Sequence, residues 1–520
     1  MPTYEVPRDA DQRLADKDVT LWPPGSEAPT RLGWLDVHTA RPSAAALSSF
    51  LAVCAPHTSV IGMGGSSMAP MMYGELAAIF GLRSHNVTVV DTTHPSTSQR
   101  LLDGAQTVIA ASKSGGTLEV RALLDLWLGQ HRPSTVAAIT DPGSPLADRS
   151  FADGFGALLL ADPTVGGRFS ALSSFGLAPA AFVGLDPEDL LAFDMREAVS
   201  RGAALAARIV DHLNAGRDKL IIRVPHGAEA MALWLEQLIA ESTGKAGRGL
   251  VPVAAPDGVA LAETGDACLC TIGVGELRPN LAFHDMTGER QPRSADIAQQ
   301  IDDARELGEW IAVWETATAL VSAALEVDAF DQPDVASAKA ATEAVLAAGV
   351  VRDADVASER GGVKWSPAAS VTALSDFVDG LDNSVSHIAL QAFVDDSPAI
   401  RSVLGKAQGA LSRVTGRIVS LGFGPRYLHS TGQLHKGGPS GIAAIQILDG
   451  FSIGADGYED GGTRPSSDAS LSELLRSGAL IAAQAQGDAD SLAALGRRVE
   501  RSELSNFLTM VGERSPSQPG

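Results

Sequence analysis

The chain reads as an α/β protein of two doubly wound, flavodoxin-like parallel-sheet units with a helical C-terminal segment. Three observations predict this. Short apolar, β-branched runs recur at residues 58–61, 87–90, 107–110 and 136–139, each followed by turn residues and a helical stretch. That is the rhythm of parallel strands joined by crossover helices. A second series begins near Lys219, with runs at 220–224, 250–253, 267–272, 418–421 and 442–448. Finally, a chain of 520 residues exceeds what one hydrophobic core organises.

The elements follow in order. Residues 1–200 are assigned to the first unit with a leading segment, 201–460 to the second unit, and 461–520 to a helical tail. The second unit carries a long insertion at 294–348, predicted helical because Leu307, Trp310, Ile311 and Trp314 recur at helical spacing. A Gly/Asp/Ser-rich stretch, 454–470, reads as a surface loop, and 470–510 as helical again.

Hydrophobic residues make up 45% and charged residues 20%, an ordinary globular balance that can bury large cores. The net charge of −22 argues against nucleic acid as a partner, because phosphate backbones repel such a surface. A small anionic substrate stays open, since screening beyond roughly 8 Å lets a local cation cluster decide what a cleft binds. No run approaches the ~20 apolar residues of a membrane span, and the opening residues are polar rather than a leader. Three cysteines, which cannot all pair with one another, suit a reducing compartment, so a cytoplasmic location is expected. Cys268 and Cys270 alternate with Ala267 and Leu269, the pattern of a strand rather than of half a zinc site.

Ligands of parallel sheets bind beyond the carboxyl ends of the strands. Three such ends run into polar loops at 62–66, 91–93 and 112–117. The last, SKSGGT, follows a buried run and opens a helix near Leu118. Free backbone N–H groups, a positive helix end, three hydroxyls and one ammonium suit a phosphate monoester. A βα turn with a capping hydroxyl is the alternative. The 62–66 loop, GMGGS, lacks the full G-x-G-x-x-G spacing of a dinucleotide site and alone is undecided.

Together these segments resemble the phosphoglucose isomerase family, built from two sugar-isomerase (SIS) domains. Residues 62–70 (GMGGSSMAP) resemble its first sugar-binding loop and 112–119 (SKSGGTLE) its phosphate loop. Residues 165–177 (VGGRFSALSSFGL) resemble a signature carrying an arginine, 241–249 (ESTGKAGRG) the segment with the catalytic glutamate, and 330–339 (FDQPDVASAK) the one ending in the catalytic lysine. Residues 426–438 (RYLHSTGQLHKGG) and 484–488 (QAQGD) are similar to the isomerase half of bacterial transaldolase/glucose-6-phosphate isomerase fusions.

The resemblance implies interconversion of glucose 6-phosphate and fructose 6-phosphate through a cis-enediol, with no metal or other cofactor. Glu241 is then the base, although it could instead end an amphipathic helix on its solvent face. Arg168 stabilises the enediolate, or is a structural arginine after a Gly-Gly turn. Ser112, Lys113, Ser114 and Thr117 hold the phosphate. Gly65 and Ser66 line the sugar pocket, Gln332 contacts the sugar, and Lys339 assists ring opening. The family's ring-opening histidine follows the glutamate, but residues 264–273 contain none. His429 is assigned that role in a rearranged chain order, with His435 and His284 as rivals. In the family this histidine comes from a neighbouring subunit, which implies a homodimer. A dual phosphoglucose/phosphomannose isomerase, and a non-catalytic SIS sensor of sugar phosphates, are the competing readings.

Overall fold

The structure is a computed structural model describing residues 3–256, 259–279, 282–284, 290–292, 294–347, 369–449 and 470–514. Strands β1 (His57–Gly62), β2 (Asn86–Val90), β3 (Thr107–Ala111), β4 (Val136–Thr140) and β5 (Ala157–Leu160) form one parallel sheet ordered β2-β1-β3-β4-β5. β3 and β4 are buried at every position, which is why they read as unbroken apolar runs. The strand order reverses between β1 and β3, so a crevice opens there beyond their carboxyl ends. The two loops that flank it are the glycine- and hydroxyl-rich segments found in the sequence.

The second series continues with β6 (Lys219–Arg223), β7 (Val251–Ala254), β8 (Ala267–Val274), β9 (Ala282–His284), β10 (Arg290–Pro292) and β11 (Ile297–Ile301). It ends with β12 (His387–Phe393), β13 (Ile418–Phe423), β14 (Ile442–Leu448) and β15 (Arg498–Glu503). These strands divide into two four-stranded parallel sheets, β11-β8-β6-β7 and β13-β12-β14-β15, while β9 and β10 pair as a small antiparallel hairpin. One apolar cluster joins the two larger sheets: Ile221, Val251 and Leu269 on one side, Ala389, Ile418 and Ile442 on the other.

The parallel α/β class therefore holds, but six strands depart from the sequence expectation. β5, β9, β10 and β12 lie outside the predicted runs, β11 begins the stretch 294–348 predicted helical, and β15 interrupts the predicted helical tail. β12 was hidden because His387 and Gln391 break its apolar run. Both are buried, with His387 Nε2 lying 2.9 Å from Ser420 Oγ and Gln391 Nε2 3.1 Å from His435 Nδ1. β11 (IAQQI) and β15 (RVERSE) are edge strands, whose polar positions need no core face.

The insertion holds helices Leu307–Ala324 and Val335–Ala347, and the tail holds Leu471–Arg476, Ala479–Ala494 and Leu504–Arg514. Helix Leu307–Ala324 packs on Met195–Asn214, and Val335–Ala347 packs on Ala479–Ala494. Residues 454–469 of the expected loop lie outside the described residues. Cys268 and Cys270 sit buried in β8, as the alternation indicates. No helix among the described residues is long and apolar enough to cross a membrane.

Candidate active site

The loop 112–117 joins β3 to helix Leu118–Leu128. Within it Ser112 Oγ and Thr117 Oγ1 are 2.9 Å apart, and Ser114 is exposed. The loop borders a cavity of about 190 Å³, lined also by Glu119, Thr342, Glu343, His429 and Gln484. Lys113 is not part of that lining: its ammonium is held by the Asp141 carboxylate and by the Pro163 carbonyl at 2.9 Å.

Glu119 stands in the first turn of helix Leu118–Leu128, where the helix dipole favours a carboxylate. It is 5% exposed. Its Oε1 accepts from Gln484 Nε2 at 2.7 Å and lies 2.8 Å from His429 Nε2. Gln484 Oε1 accepts in turn from Thr93 Oγ1 at 2.6 Å. His429 closes the short turn Arg426–His429 that follows β13. One chain supplies both members of the Glu119–His429 pair.

Helix Glu229–Thr243 is buried almost all round, wedged against helix Gly65–Ile79 and β7. Glu241 is consequently 4% exposed and does not sit on a solvent face. Arg168 approaches it, Nη1 lying 3.5 Å from Glu241 Oε1. The guanidinium is fixed from its other side: Nε donates to Ser242 Oγ at 2.9 Å, and Nη2 donates to the carbonyls of Ala329 and Asp331. Such a planar fork, held by several acceptors, has its direction fixed, with Nη1 turned toward the Glu241 carboxylate.

Gln237, one helical turn before Glu241, donates to Glu241 Oε2 at 3.2 Å and to the His429 carbonyl at 3.0 Å. Its Oε1 is buried without a hydrogen-bond partner among the described residues. Sequence reasoning missed Gln237, although its i−4 spacing from Glu241 is the signal that finds it. It also passed over Glu119, which closes the quoted phosphate-loop motif, and Lys245. The Lys245 ammonium binds the Asp328 carbonyl and Asp331 Oδ1 at 2.8 Å. Burial, and after it the charge of Arg168, brings the Lys245 pKa down to about 8.

Gly65 and Ser66 begin helix Gly65–Ile79. A β-carbon on Gly65 would lie 1.8 Å from the Gly167 carbonyl oxygen, so glycine lets this helix end meet the backbone that carries Arg168. Gly64 has φ +57°, and a β-carbon there would come within 2.8 Å of both Gln237 Nε2 and the His429 carbonyl. The remaining predicted residues are less engaged. Gln332 is exposed, one residue beyond Asp331. Lys339 belongs to helix Val335–Ala347, one turn before Thr342 and Glu343, but its side chain lies outside the described residues.

Of the rival histidines, His435 is fully buried against Gln391, and burial, then Lys436 and Arg497, lowers its pKa to about 3. A ring that stays neutral and sealed cannot donate protons to a substrate near neutral pH. The His284 side chain lies outside the described residues. Asp91, read from the sequence as part of a binding loop, is instead enclosed and paired with Arg426.

No family model matches the chain. It is similar to the glucose-6-phosphate isomerase of Synechococcus sp. (strain JA-2-3B'a(2-13)), 28% identical over 347 residues, covering 55% of this chain and 65% of the relative. The protein of the same name from Acaryochloris marina is 27% identical over 372 residues, 60% of this chain and 69% of its own length. That of Thermus thermophilus is 39% identical over 142 residues, 25% of this chain and 34% of its own. The chain thus spans about two thirds or less of the curated relatives it matches and is related to them in sequence. Among solved structures, a hypothetical protein from Thermus thermophilus aligns with TM-score 0.49 and 22% identity over 65% of this chain and 94% of its own. A glucose-6-phosphate isomerase from Chlamydia trachomatis aligns with TM-score 0.44 and 19% identity, over 66% and 87%.

Proposed function

We propose that the chain is an aldose–ketose isomerase interconverting glucose 6-phosphate and fructose 6-phosphate, a glycolytic and gluconeogenic reaction of the cytoplasm. Relatedness to proteins named glucose-6-phosphate isomerase supports the substrate pair. The observation that carries the reading is the convergence, around Gln237, of the Glu241–Arg168 pair and the Glu119–His429 pair.

The chemistry moves one proton between C1 and C2 of an open-chain sugar. Glu241 removes the proton alpha to the carbonyl and returns it to the neighbouring carbon, and Arg168 Nη1 faces the oxyanion that develops. Gln237 orients Glu241 Oε2 and keeps its own carbonyl oxygen for a sugar hydroxyl. Before this step the ring must open. His429, oriented by Glu119, exchanges the proton between the ring oxygen and the anomeric hydroxyl, assisted by Lys339. Ser112, Ser114 and Thr117, with the helix N-terminus, receive the phosphate, while Lys113 lends charge from behind the loop. Gly65, Ser66 and Gln332 border the sugar. We read the assembly as a homodimer, as the family resemblance implies, with the Glu119–His429 pair formed within one chain.

The test is turnover of fructose 6-phosphate by the purified chain with chelator present, coupled to oxidation of glucose 6-phosphate. Turnover is expected, with mannose 6-phosphate as the second substrate in the same assay. Sugar phosphate binding without turnover would replace the isomerase with a sensor.

A further inference from the structure

We propose that Arg426 is a positioning residue for ring opening: by gripping Asp91 and Asp396 together it fixes the turn that aims His429 at Glu119. The inference rests on the isomerase reading above and adds to it a part of the machinery outside the cavity.

Arg426 and His429 are the first and last residues of one 3₁₀ turn. Side chains three apart in such a turn eclipse one another, so the two project from one side. Both meet the carboxyl end of the first sheet. Arg426 pairs with Asp91, the residue after β2, through Nε at 2.6 Å and Nη2 at 2.7 Å, while His429 meets Glu119 just past β3. Arg426 Nη2 also donates to Asp396, just past β12 of the third sheet, at 2.9 Å. A single guanidinium therefore ties strand ends of two sheets to the histidine turn. From the middle of the turn, the Tyr427 hydroxyl donates to Asp488 at 2.7 Å, and the Lys436 ammonium closes on the same carboxylate.

The charge balance explains why this grip is tight. Asp91 and Asp396 are both buried, and two enclosed carboxylates repel unless a cation lies between them. Arg401 pairs with Asp396, but its side chain is 48% exposed, and among the described residues Arg426 is the cation seen on Asp91. A bidentate fork fixes direction as well as distance, which an ammonium cannot do. The Arg426 guanidinium is occupied by Asp91 and Asp396, whereas His429, in the same turn, lines the cavity.

The experiment compares wild type with Arg426→Lys and, as a second variant that weakens the same ion pair from its other partner, Asp91→Asn. Two readouts are taken on each: turnover of ring-closed fructose 6-phosphate, and solvent proton exchange on a four-carbon aldose phosphate, whose phosphate occupies the hydroxyl that would close a ring. Binding of a phosphorylated five-carbon aldonate, an enediolate mimic, reports whether the proton-transfer pocket is intact. The expected result is a loss of ten-fold or more in kcat for the ring-closed substrate. KM, aldonate binding and exchange on the open-chain substrate should stay within three-fold. Equal losses on both substrates, or unchanged ring-closed turnover in both variants, would overturn the proposal. Wild type without hexose phosphate turnover would instead bring down the isomerase reading beneath it.

Discussion

Glu119 Oε1 and His429 Nε2 lie 2.8 Å apart although 310 residues separate them in the chain. The contact joins the first turn of the helix after β3 in the first sheet to the turn after β13 in the third. Gln484 and Thr93 extend it into a line of buried hydrogen bonds. A histidine so placed has its orientation set before substrate arrives, which general acid–base catalysis requires.

If the pair acts as one unit, Glu119→Gln and His429→Ala should each lower turnover of the ring-closed sugar by about 10²-fold or more, the usual worth of a positioned acid–base group. The double variant should be little worse than either single one, because members of a unit are not additive. Steady-state kcat for the three proteins decides it, and fully additive losses would separate the two residues.

Glu241→Gln keeps the shape of the side chain and an acceptor toward Arg168 but abolishes the base. Proton exchange between solvent and C2 of the substrate should vanish, with sugar phosphate binding preserved. Exchange that survives the substitution would transfer the role of base to another residue, and Glu119 is the next carboxylate to try.

In the first sheet β3 and β4 were legible because they are buried at every position, and the βα loops because they carry glycine and hydroxyls at the switch point, whereas half-buried β5 was not. Glu241, Arg168 and His429 were named by resemblance; Gln237 donates to Glu241 and to the His429 carbonyl, and Arg168 lies against Glu241. What failed was environment. Residue type cannot tell a carboxylate that faces a ligand from one that faces an arginine: Asp91 ends its strand as a ligand-binding residue would, yet its partner lies 335 residues away. β12 failed for a related reason, since His387 and Gln391 meet Ser420 and His435, partners that only tertiary packing supplies.

Gly65→Ala tests the backbone contact behind Arg168. The added methyl would fall 1.8 Å from the Gly167 carbonyl oxygen, so one backbone must retreat. Overpacking of this kind costs roughly 1–3 kcal/mol. Because Gly167 directly precedes Arg168, kcat should fall further than the loss of stability explains. Thermal midpoint and kcat measured together check this, and a variant with wild-type values for both would refute the contact.

Glu236 makes a prediction about pH. It is buried on the same helix as Glu241 and accepts a hydrogen bond from the Ala254 N–H at 2.9 Å. Burial raises its pKa from 4.5 to about 8, against the opposing pull of that N–H. The folded chain then keeps a proton that the unfolded chain releases above about 4.5, so stability is complete below that value and declines as pH rises through about 8. A tenfold difference in proton affinity between the folded and unfolded chain is worth about 1.4 kcal/mol, and the total loss is of the order of a few kcal/mol. Glu75, raised to about 7 mainly by burial, adds to the same window. Denaturant midpoints should therefore fall between about pH 5 and pH 8 in the wild type and fall less steeply in Glu236→Gln, which keeps an acceptor for Ala254 without a proton to lose. A variant whose midpoints follow the wild type across that window would show that Glu236 does not titrate there.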